Sequence, residues 1–351
     1  MSRRTGLVSL LLAGTVLAVG CGSVARQATP ADPAQPPSLS TSLVTAAGTW
    51  AVAVMGGPAA EHDNFWQLFL RPAGSDRWRL ATPPGVASNG GLVVASPGGR
   101  SVVAAFRPSQ ELSYSPLATT DDNGTAWTPG LLDATLADVP DALAASAAGR
   151  RCAPRSLTAV AFSPAGAPVL AAGCARPGTI GVFAYAGGAW HLAGPALPPS
   201  YARQNITVLR LTTTAGTTTA GTTMALLAAG TGAGARLLAA WSTGGGGHWG
   251  LSPPLPLHGA KLTSASFGPG GSVAAVLTGS QAQAITGPGG SWRQLPALPP
   301  GTATLAPGTT GGWDALAVHR TRLTIWQLPP GHTAWAATQT ISVFIQFGSS
   351  G

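Results

Sequence analysis

The stretch TTDDNGTAWTPG, residues 119–130, decides the fold because it contains the parts of one tight hairpin turn. Asn123 is a common turn residue, and Gly124 permits a positive φ. The short carboxylate of Asp122 can accept backbone N–H bonds inside its own turn, and the indole of Trp127 can pack into the sheet that follows. We therefore predict a structural turn between two strands, with the next strand beginning at Trp127.

A tryptophan that follows a glycine-containing turn returns six times along the chain, and each copy begins a similar short segment. The intervals run from 43 residues, between Trp249 and Trp292, to 63 residues, between Trp127 and Trp190. The long intervals contain LLDATLADVPDALAASAAGRR, which predicts a short helix, and a Thr-rich loop at residues 212–223. A repeat of this length is typical of a four-stranded propeller blade. The six members are Trp78, Trp127, Trp190, Trp249, Trp292 and Trp335.

Pairs of apolar runs split by a Gly-containing turn lie between the repeated tryptophans. Examples are LVVASPGGRSVVAAFRP (92–108), LTAVAFSPAGAPVLAAGCA (157–175) and LTSASFGPGGSVAAVLTGS (262–280), each of which predicts a hairpin. Only 9% of the residues are charged, and the chain has 48 Gly and 31 Pro, which favours short strands over long helices. The fold class is therefore all-β, a β-propeller with four-stranded antiparallel blades; we expect six blades, with seven as the alternative.

The segment Thr120 to Trp127 resembles the Asp-box of sialidase-like (BNR repeat) propellers, which is a Ser/Thr-x-Asp-x-Gly-x-Thr-Trp hairpin between the third and fourth strands of a blade. Ala126 stands where the motif has Thr, and the other five turns keep only Gly and Trp. The spacing of the turns and tryptophans resembles that of these propellers over residues 41–347, but only the turn from Thr120 to Trp127 matches the motif closely. It implies a structural role for Thr120, Asp122, Gly124 and Trp127.

Sialidase-like propellers include glycoside hydrolases, so we compared this chain with the catalytic residues of those enzymes. Those enzymes use three arginines, a Tyr nucleophile assisted by Glu, and an Asp acid/base. This chain has only Tyr114, Tyr185 and Tyr201, and only two Glu, and its early FRP at residues 106–108 departs from their Arg-Ile-Pro motif. Facing carboxylates are also missing from the pattern. We expect no catalytic residues, and a divergent hydrolase remains the alternative.

Metal, cofactor and nucleic-acid sites are not indicated by the sequence. The six histidines lack ligand spacing, and Glu61-His62-Asp63 is interpreted as an exposed polar turn. The formal net charge of +8 is spread thinly and has no nucleic-acid motif. Five further tryptophans could be core or could line a sugar-binding surface, and their apolar strand context favours core. They are Trp50, Trp66, Trp241, Trp313 and Trp326.

The N-terminus, MSRRTGLVSLLLAGTVLAVGC, has the charged start, apolar run and small residues of a secretory signal. Its end resembles the bacterial lipobox in a relaxed form, with Ala18 three residues before Cys21. This resemblance implies signal cleavage after residue 20 and lipidation of Cys21, for example with palmitate; an ordinary signal with an incidental cysteine is the alternative. Residues 21–40 are Pro-, Ala- and Ser-rich, as in a flexible tether, and the propeller domain is assigned to 41–351.

The two remaining cysteines, Cys152 and Cys174, flank one predicted hairpin. Export would place them in an oxidising compartment, so we predict a disulfide between them, with two buried free thiols as the alternative. One Lys beside 18 Arg, with abundant Ala and Gly, is typical of a GC-rich bacterial genome such as that of an actinobacterium.

These observations together predict an extracytoplasmic lipoprotein at the cell membrane. We expect a monomer, held to the membrane by its lipid, that binds a protein or a cell-envelope glycan through a non-catalytic propeller. A third reading, an assembly or stability factor, rests on the family resemblance alone.

Overall fold

A computed structural model of the chain describes residues 40–56, 64–84, 91–106, 115–132, 138–163, 166–214, 222–243, 248–279 and 281–344. The predicted signal peptide 1–20, Cys21 and residues 21–39 of the predicted tether lie outside these residues, as do Glu61-His62-Asp63 and Tyr114. Strands make up most of the described chain. No helix within the described ranges is long and apolar enough to span a bilayer.

The strands fall into consecutive units of four, and each strand in a unit pairs antiparallel with the next. Unit 1 consists of β1 (Ser40–Thr45), β2 (Gly48–Gly56), β3 (Asn64–Pro72) and β4 (Arg79–Leu80). Unit 2 consists of β5 (Leu92–Gly98), β6 (Ser101–Phe106), β7 (Ser115–Thr120) and β8 (Thr128–Leu132).

Two short helices, α1 (Asp141–Ala144) and α2 (Ala147–Cys152), precede unit 3, as the long interval between tryptophans predicts. Unit 3 consists of β9 (Pro154–Phe162), β10 (Pro168–Cys174), β11 (Gly181–Ala186) and β12 (Ala189–Leu192). Unit 4 consists of β13 (Ile206–Thr214), β14 (Thr222–Ala229), β15 (Arg236–Thr243) and β16 (His248–Leu251), and β17 (Leu255–Pro256) adds to β15.

Unit 5 consists of β18 (Leu262–Phe267), β19 (Ser272–Leu277), β20 (Gln281–Thr286) and β21 (Arg293–Gln294). Unit 6 consists of β22 (Thr302–Pro307), β23 (Trp313–His319), β24 (Arg322–Leu328) and β25 (Ala336–Ser342). The three hairpins predicted from split apolar runs are confirmed as β5–β6, β9–β10 and β18–β19.

Buried apolar clusters at five junctions and strand contacts at the sixth join the units in a closed ring. Separate clusters span units 1 and 2, 3 and 4, 4 and 5, 5 and 6, and 6 and 1. Units 2 and 3 meet through β5 and β9. The chain is therefore a β-propeller of four-stranded antiparallel sheets. The described residues contain six such units, and the number of blades stays a prediction because these residues do not cover the whole chain.

The tryptophans outside the repeat contribute to the core between the strands. Trp50, Trp66, Trp241 and Trp313 are buried, and Trp326 is half-buried. The indole of Trp241 also donates to the carbonyl of Gly271 in the next unit, at 2.6 Å. The prediction that these residues belong to the core is confirmed for the four buried ones. Such placement satisfies the indole N–H while its apolar rings stay out of water.

The centre of the ring is filled by the first strands themselves. β1 pairs in parallel with β18, so that Ser40, Thr41 and Ser42 lie opposite Ser264, Ala265 and Ser266. The hydroxyl of Thr41 donates to the carbonyl of Ala265 at 2.9 Å. Units 1 and 5, which flank unit 6, are thereby hydrogen-bonded directly to each other.

Cys152 and Cys174 form a disulfide. Cys152 ends α2, Cys174 ends β10, and both sulfur-bearing side chains are buried beside the core of unit 3. The backbone of the same region is paired as well, because Ala175 donates its N–H to the carbonyl of Ala153. The bond therefore ties the helical insertion to the hairpin that follows it.

Candidate functional site

The turn after β7 has the internal hydrogen bonds that its sequence suggests. One carboxylate oxygen of Asp122 accepts the N–H groups of Thr125 at 3.0 Å and Ala126 at 2.9 Å. The hydroxyl of Thr120 donates to Asp122 at 2.9 Å and accepts the N–H of Gly124 at 2.9 Å. These bonds, chiefly the one from Ala126 and then the one from Thr120, hold the pKa of Asp122 below its ordinary value.

The same turn packs against unit 1. Gly124 has φ of 71°, and a Cβ atom there would lie 3.1 Å from the ring of Trp50, so glycine serves both the turn and the close approach. Trp127 meets Trp50 edge to face, with ring centroids 6.2 Å apart. The Asp122 carboxylate thus lies in a turn that joins two units, and its oxygens are engaged by its own backbone.

Four of the six repeated indoles contact the unit that precedes their own in the chain. Trp127 packs against Trp50 of unit 1, as described above. Trp190 instead packs against Tyr185 within unit 3, with ring centroids 5.1 Å apart. Three others donate their N–H to a carbonyl just after the fourth strand of the preceding unit. These pairs are Trp249 with Ala193 at 2.8 Å, Trp292 with Pro253 at 2.9 Å, and Trp335 with Pro296 at 3.4 Å.

Trp78 joins the first unit to the last by a different contact. Its backbone N–H donates to the side-chain oxygen of Gln339 at 2.8 Å, and the Gln339 amide donates back to the Trp78 carbonyl at 2.7 Å. Gln339 lies four residues after Trp335, as Pro296 lies four residues after Trp292. A repeat tryptophan therefore also closes the ring, but this contact uses its backbone, whereas the other three use the indole N–H.

A buried ion pair completes this closure. Arg71 and Asp314 form a salt bridge, and their side chains are 5% and 1% exposed. The indole N–H of Trp78 donates to the same Asp314 oxygen at 2.9 Å, and the Arg71 guanidinium lies 5.3 Å from the ring centroid of Trp78. Arg71 also donates to the Thr49 hydroxyl at 3.1 Å and to the Pro307 carbonyl at 2.6 Å.

Burial and neighbouring groups shift the pKa of the Asp314 carboxyl in opposite directions. Burial raises its pKa above the ordinary value, and the charge of Arg71 and the hydrogen bonds from Trp78 and Arg71 oppose that rise. Arg71 and Asp314 were not among the residues predicted from the sequence. The signal was a charged residue inside each of two apolar strands, NFWQLFLRP and WDALAVH, which marks a buried partner pair.

A small cavity lies between the first strands of units 1 to 4, at the centre of the propeller. Apolar and hydroxyl-bearing side chains line it, and the ionisable side chains of the described chain are absent from that lining. The cavity measures about 10 Å³, close to the least volume that one water molecule needs. A sugar ring cannot enter this space. The lining residues are Leu43, Val94, Ala95, Ser96, Val160, Ala161, Phe162, Leu211, Thr212 and Thr213.

The acids within the described ranges are all in structural or peripheral positions. Asp314 is paired with Arg71, Asp122 is bonded to its own turn, and Asp121 accepts from the Ser101 hydroxyl. Asp76 lies in the turn before β4, and Asp138 and Asp141 belong to the helical insertion. Tyr201 is buried and Tyr185 is exposed on β11. Within those ranges, no group of three or more His, Cys, Asp or Glu side chains could hold a metal.

No family model matches the chain, and no curated protein matches it. Similar solved structures include YCF48 bound to a D1 peptide, with 15% identity, 86% of this chain and 83% of that chain covered, and a TM-score of 0.38. A mutant Aleuria aurantia lectin in complex with alpha-methyl-L-fucoside has 12% identity, covers 88% and 96%, and has a TM-score of 0.42.

The polysaccharide lyase Uly1 has 11% identity to this chain, covers 89% of this chain and 82% of its own, and has a TM-score of 0.39. All three TM-scores are below 0.5. The assignment of a propeller therefore rests on the strand pairing and the ring of clusters described above.

Proposed function

We propose that this chain is a lipid-anchored bacterial protein of the extracytoplasmic side whose sialidase-like propeller binds a protein or cell-envelope glycan and performs no catalysis. The observation that supports this proposal most is the small cavity at the centre of the propeller. The first strands leave a cavity of about 10 Å³, and the carboxylates of the described residues are absent from its lining, whereas a glycoside hydrolase needs facing acids around a sugar-sized pocket.

Export of the chain is supported by the disulfide between Cys152 and Cys174, since such bonds persist in oxidising compartments. The lipobox-like end of the N-terminal segment supports anchoring at Cys21. A ring of short strands with loops at both faces is a rigid scaffold for display, and its loops present the binding surface.

Replacing Cys21 with Ser should release the protein from membranes. A serine cannot carry the thioether-linked lipid, so the chain loses its anchor while residues 40–344 keep their contacts. The measurement is fractionation of bacteria that express the natural chain or the Cys21→Ser chain, followed by immunoblotting of membrane and soluble fractions. An unchanged distribution after a high-salt wash of the membranes, which removes electrostatically bound protein, would refute lipid anchoring at Cys21 and leave the binding proposal to the next test.

The chain should show no glycosidase turnover above that of buffer. Purified protein beginning at Gly22 would be assayed with fluorogenic sialosides and other fluorogenic glycosides, with an active sialidase as the positive control. Binding to isolated cell-envelope polysaccharide would be measured on the same preparation. Turnover that disappears when a single carboxylate is changed to its amide would overturn the non-catalytic proposal.

A further inference from the structure

The two faces of the propeller differ in charge. We call the face on which the first strand of each unit begins the start face, and the opposite one, which carries the Asp122 turn, the turn face. In an antiparallel unit the second strand ends, and the third begins, on the start face. Exposed basic residues at these start-face positions are Arg155, Arg176, Arg203, Arg236, Lys261, Arg320 and Arg322, and Arg150 and Arg151 end the helix that leads into β9.

The basic residues of unit 3 and the start of unit 4 lie close together. Arg176 donates its backbone N–H to the carbonyl of Cys152, next to Arg151. Gly178 donates to the carbonyl of Gln204, next to Arg203. Neighbouring connections thus bring arginines from α2, β9, β10 and the start of β13 onto one surface.

Acidic residues on the start face are few. Among the described residues they are Asp138 and Asp141 of the helical insertion. Asp141 begins α1, which packs against the arginine-bearing α2. Among the described residues, units 3 to 6 and this insertion present nine exposed basic side chains and two exposed acids on the start face, and we call this part of the face the basic sector.

The turn face has a more even balance. Its exposed side chains include three that are basic, Arg77, Arg100 and Arg293, and three that are acidic, Asp76, Asp121 and Asp122. Among the described residues, the excess of exposed positive charge therefore lies on the start face.

The chain also enters the propeller from the start face. β1 begins there at Ser40, and the lipid anchor of the proposed function precedes it by about twenty residues. A face tethered at that distance from a bilayer is exposed to the negative surface potential of anionic lipids, which attracts Lys and Arg within about a Debye length. Basic side chains contributed by several units suit a surface of many anionic headgroups.

We infer that the basic sector of the start face docks on a bilayer that contains anionic phospholipid, which leaves the turn face directed toward the partner. This inference deepens the proposed function, since it assigns the membrane-facing side of the anchored propeller. It depends on surface charge and does not need the lipid itself, so it can be tested on the unlipidated chain. All core clusters lie between Leu43 and Val343, so a chain that begins at Gly22 keeps the whole fold.

The experiment is cosedimentation of the unlipidated chain with vesicles of phosphatidylcholine alone or with about one third phosphatidylglycerol. The test variant is Arg155→Gln, Arg176→Gln and Arg203→Gln together, and the matched control is Arg77→Gln, Arg100→Gln and Arg293→Gln. Both variants lose three positive charges from exposed side chains. We expect the natural chain to bind only the anionic vesicles, more weakly at high salt, and the test variant to lose on the order of 100-fold in partitioning. The control should keep most of its binding.

A third variant, with lysine at the same three start-face positions, should bind like the natural chain, which separates a charge effect from damage to the fold. Equal losses in the test and control variants would overturn the inference, as would a natural chain that ignores anionic vesicles. Tight binding to soluble dextran sulfate without binding to vesicles would also overturn it, in favour of an anionic polysaccharide. None of these outcomes depends on Cys21, so they are distinguishable from failure of the anchor.

Discussion

Replacing Arg71 with Met should lower the free energy of unfolding by about 3–5 kcal/mol, because it leaves the Asp314 carboxylate buried without its counter-ion. The side chain of Asp314 is 1% exposed, so water cannot compensate for the lost charge. The Thr49 hydroxyl and the Pro307 carbonyl lose a donor in the same variant. Equilibrium urea unfolding followed by far-UV circular dichroism measures the loss.

The pH dependence of this variant gives a second readout. Burial already raises the pKa of Asp314, and loss of Arg71 removes the main opposing charge, so the folded chain binds a proton more tightly than the unfolded chain. The destabilisation should therefore be smallest below the unfolded pKa of Asp, about 3.9, and grow as the pH rises through the raised folded value.

The double variant Arg71→Met with Asp314→Leu is the matched control. It removes both charges and fills the site with apolar side chains of similar size, so much of the lost stability should return. A single Arg71→Met variant that is within 1 kcal/mol of the natural chain at neutral pH would show that this ion pair does not hold units 1 and 6 together.

Replacing Trp78 with Ala should also cost about 3–5 kcal/mol, the usual range for a buried tryptophan. The indole is 2% exposed, packs in the cluster that joins units 6 and 1, and donates to Asp314. Its removal leaves a cavity at the closure of the ring and takes a hydrogen bond from a buried carboxylate. Urea unfolding again provides the measurement.

Trp292→Ala is the control for Trp78→Ala, since it changes the same position of the repeat in a half-exposed setting. Its indole donates to the Pro253 carbonyl between units 5 and 4, so it should cost clearly less. Equal costs at the two positions would argue against a special role of Trp78 in closing the ring.

The local parts of the fold could be predicted because each is encoded within a few residues. The Asp122 turn is specified between Thr120 and Trp127, and the hairpins are specified by split apolar runs with a Gly-containing turn. The repeat of tryptophans carries the order of the units, since each copy lies at or just before the fourth strand of its unit. These signals are short in sequence and periodic.

The closure of the ring could not be predicted in the same way. The described part of the C-terminal segment, Ile341 and Ser342, pairs with β24 in β25, and β1 pairs with β18 of unit 5. Closure uses Arg71 and Asp314, which are 243 residues apart and belong to no repeat, so nothing local in the sequence relates them.

The central claim is that contacts of the repeated tryptophans, with Trp78 joining the last unit to the first, close this chain into a propeller. A crystal structure of the chain from Gly22 onward tests it most directly. We predict that the Trp78 indole N–H lies about 2.9 Å from an Asp314 carboxylate oxygen, with Gln339 bonded to the Trp78 backbone. Trp78 in solvent or in contact with another unit, with no rotation relating the six tryptophans, would contradict the account.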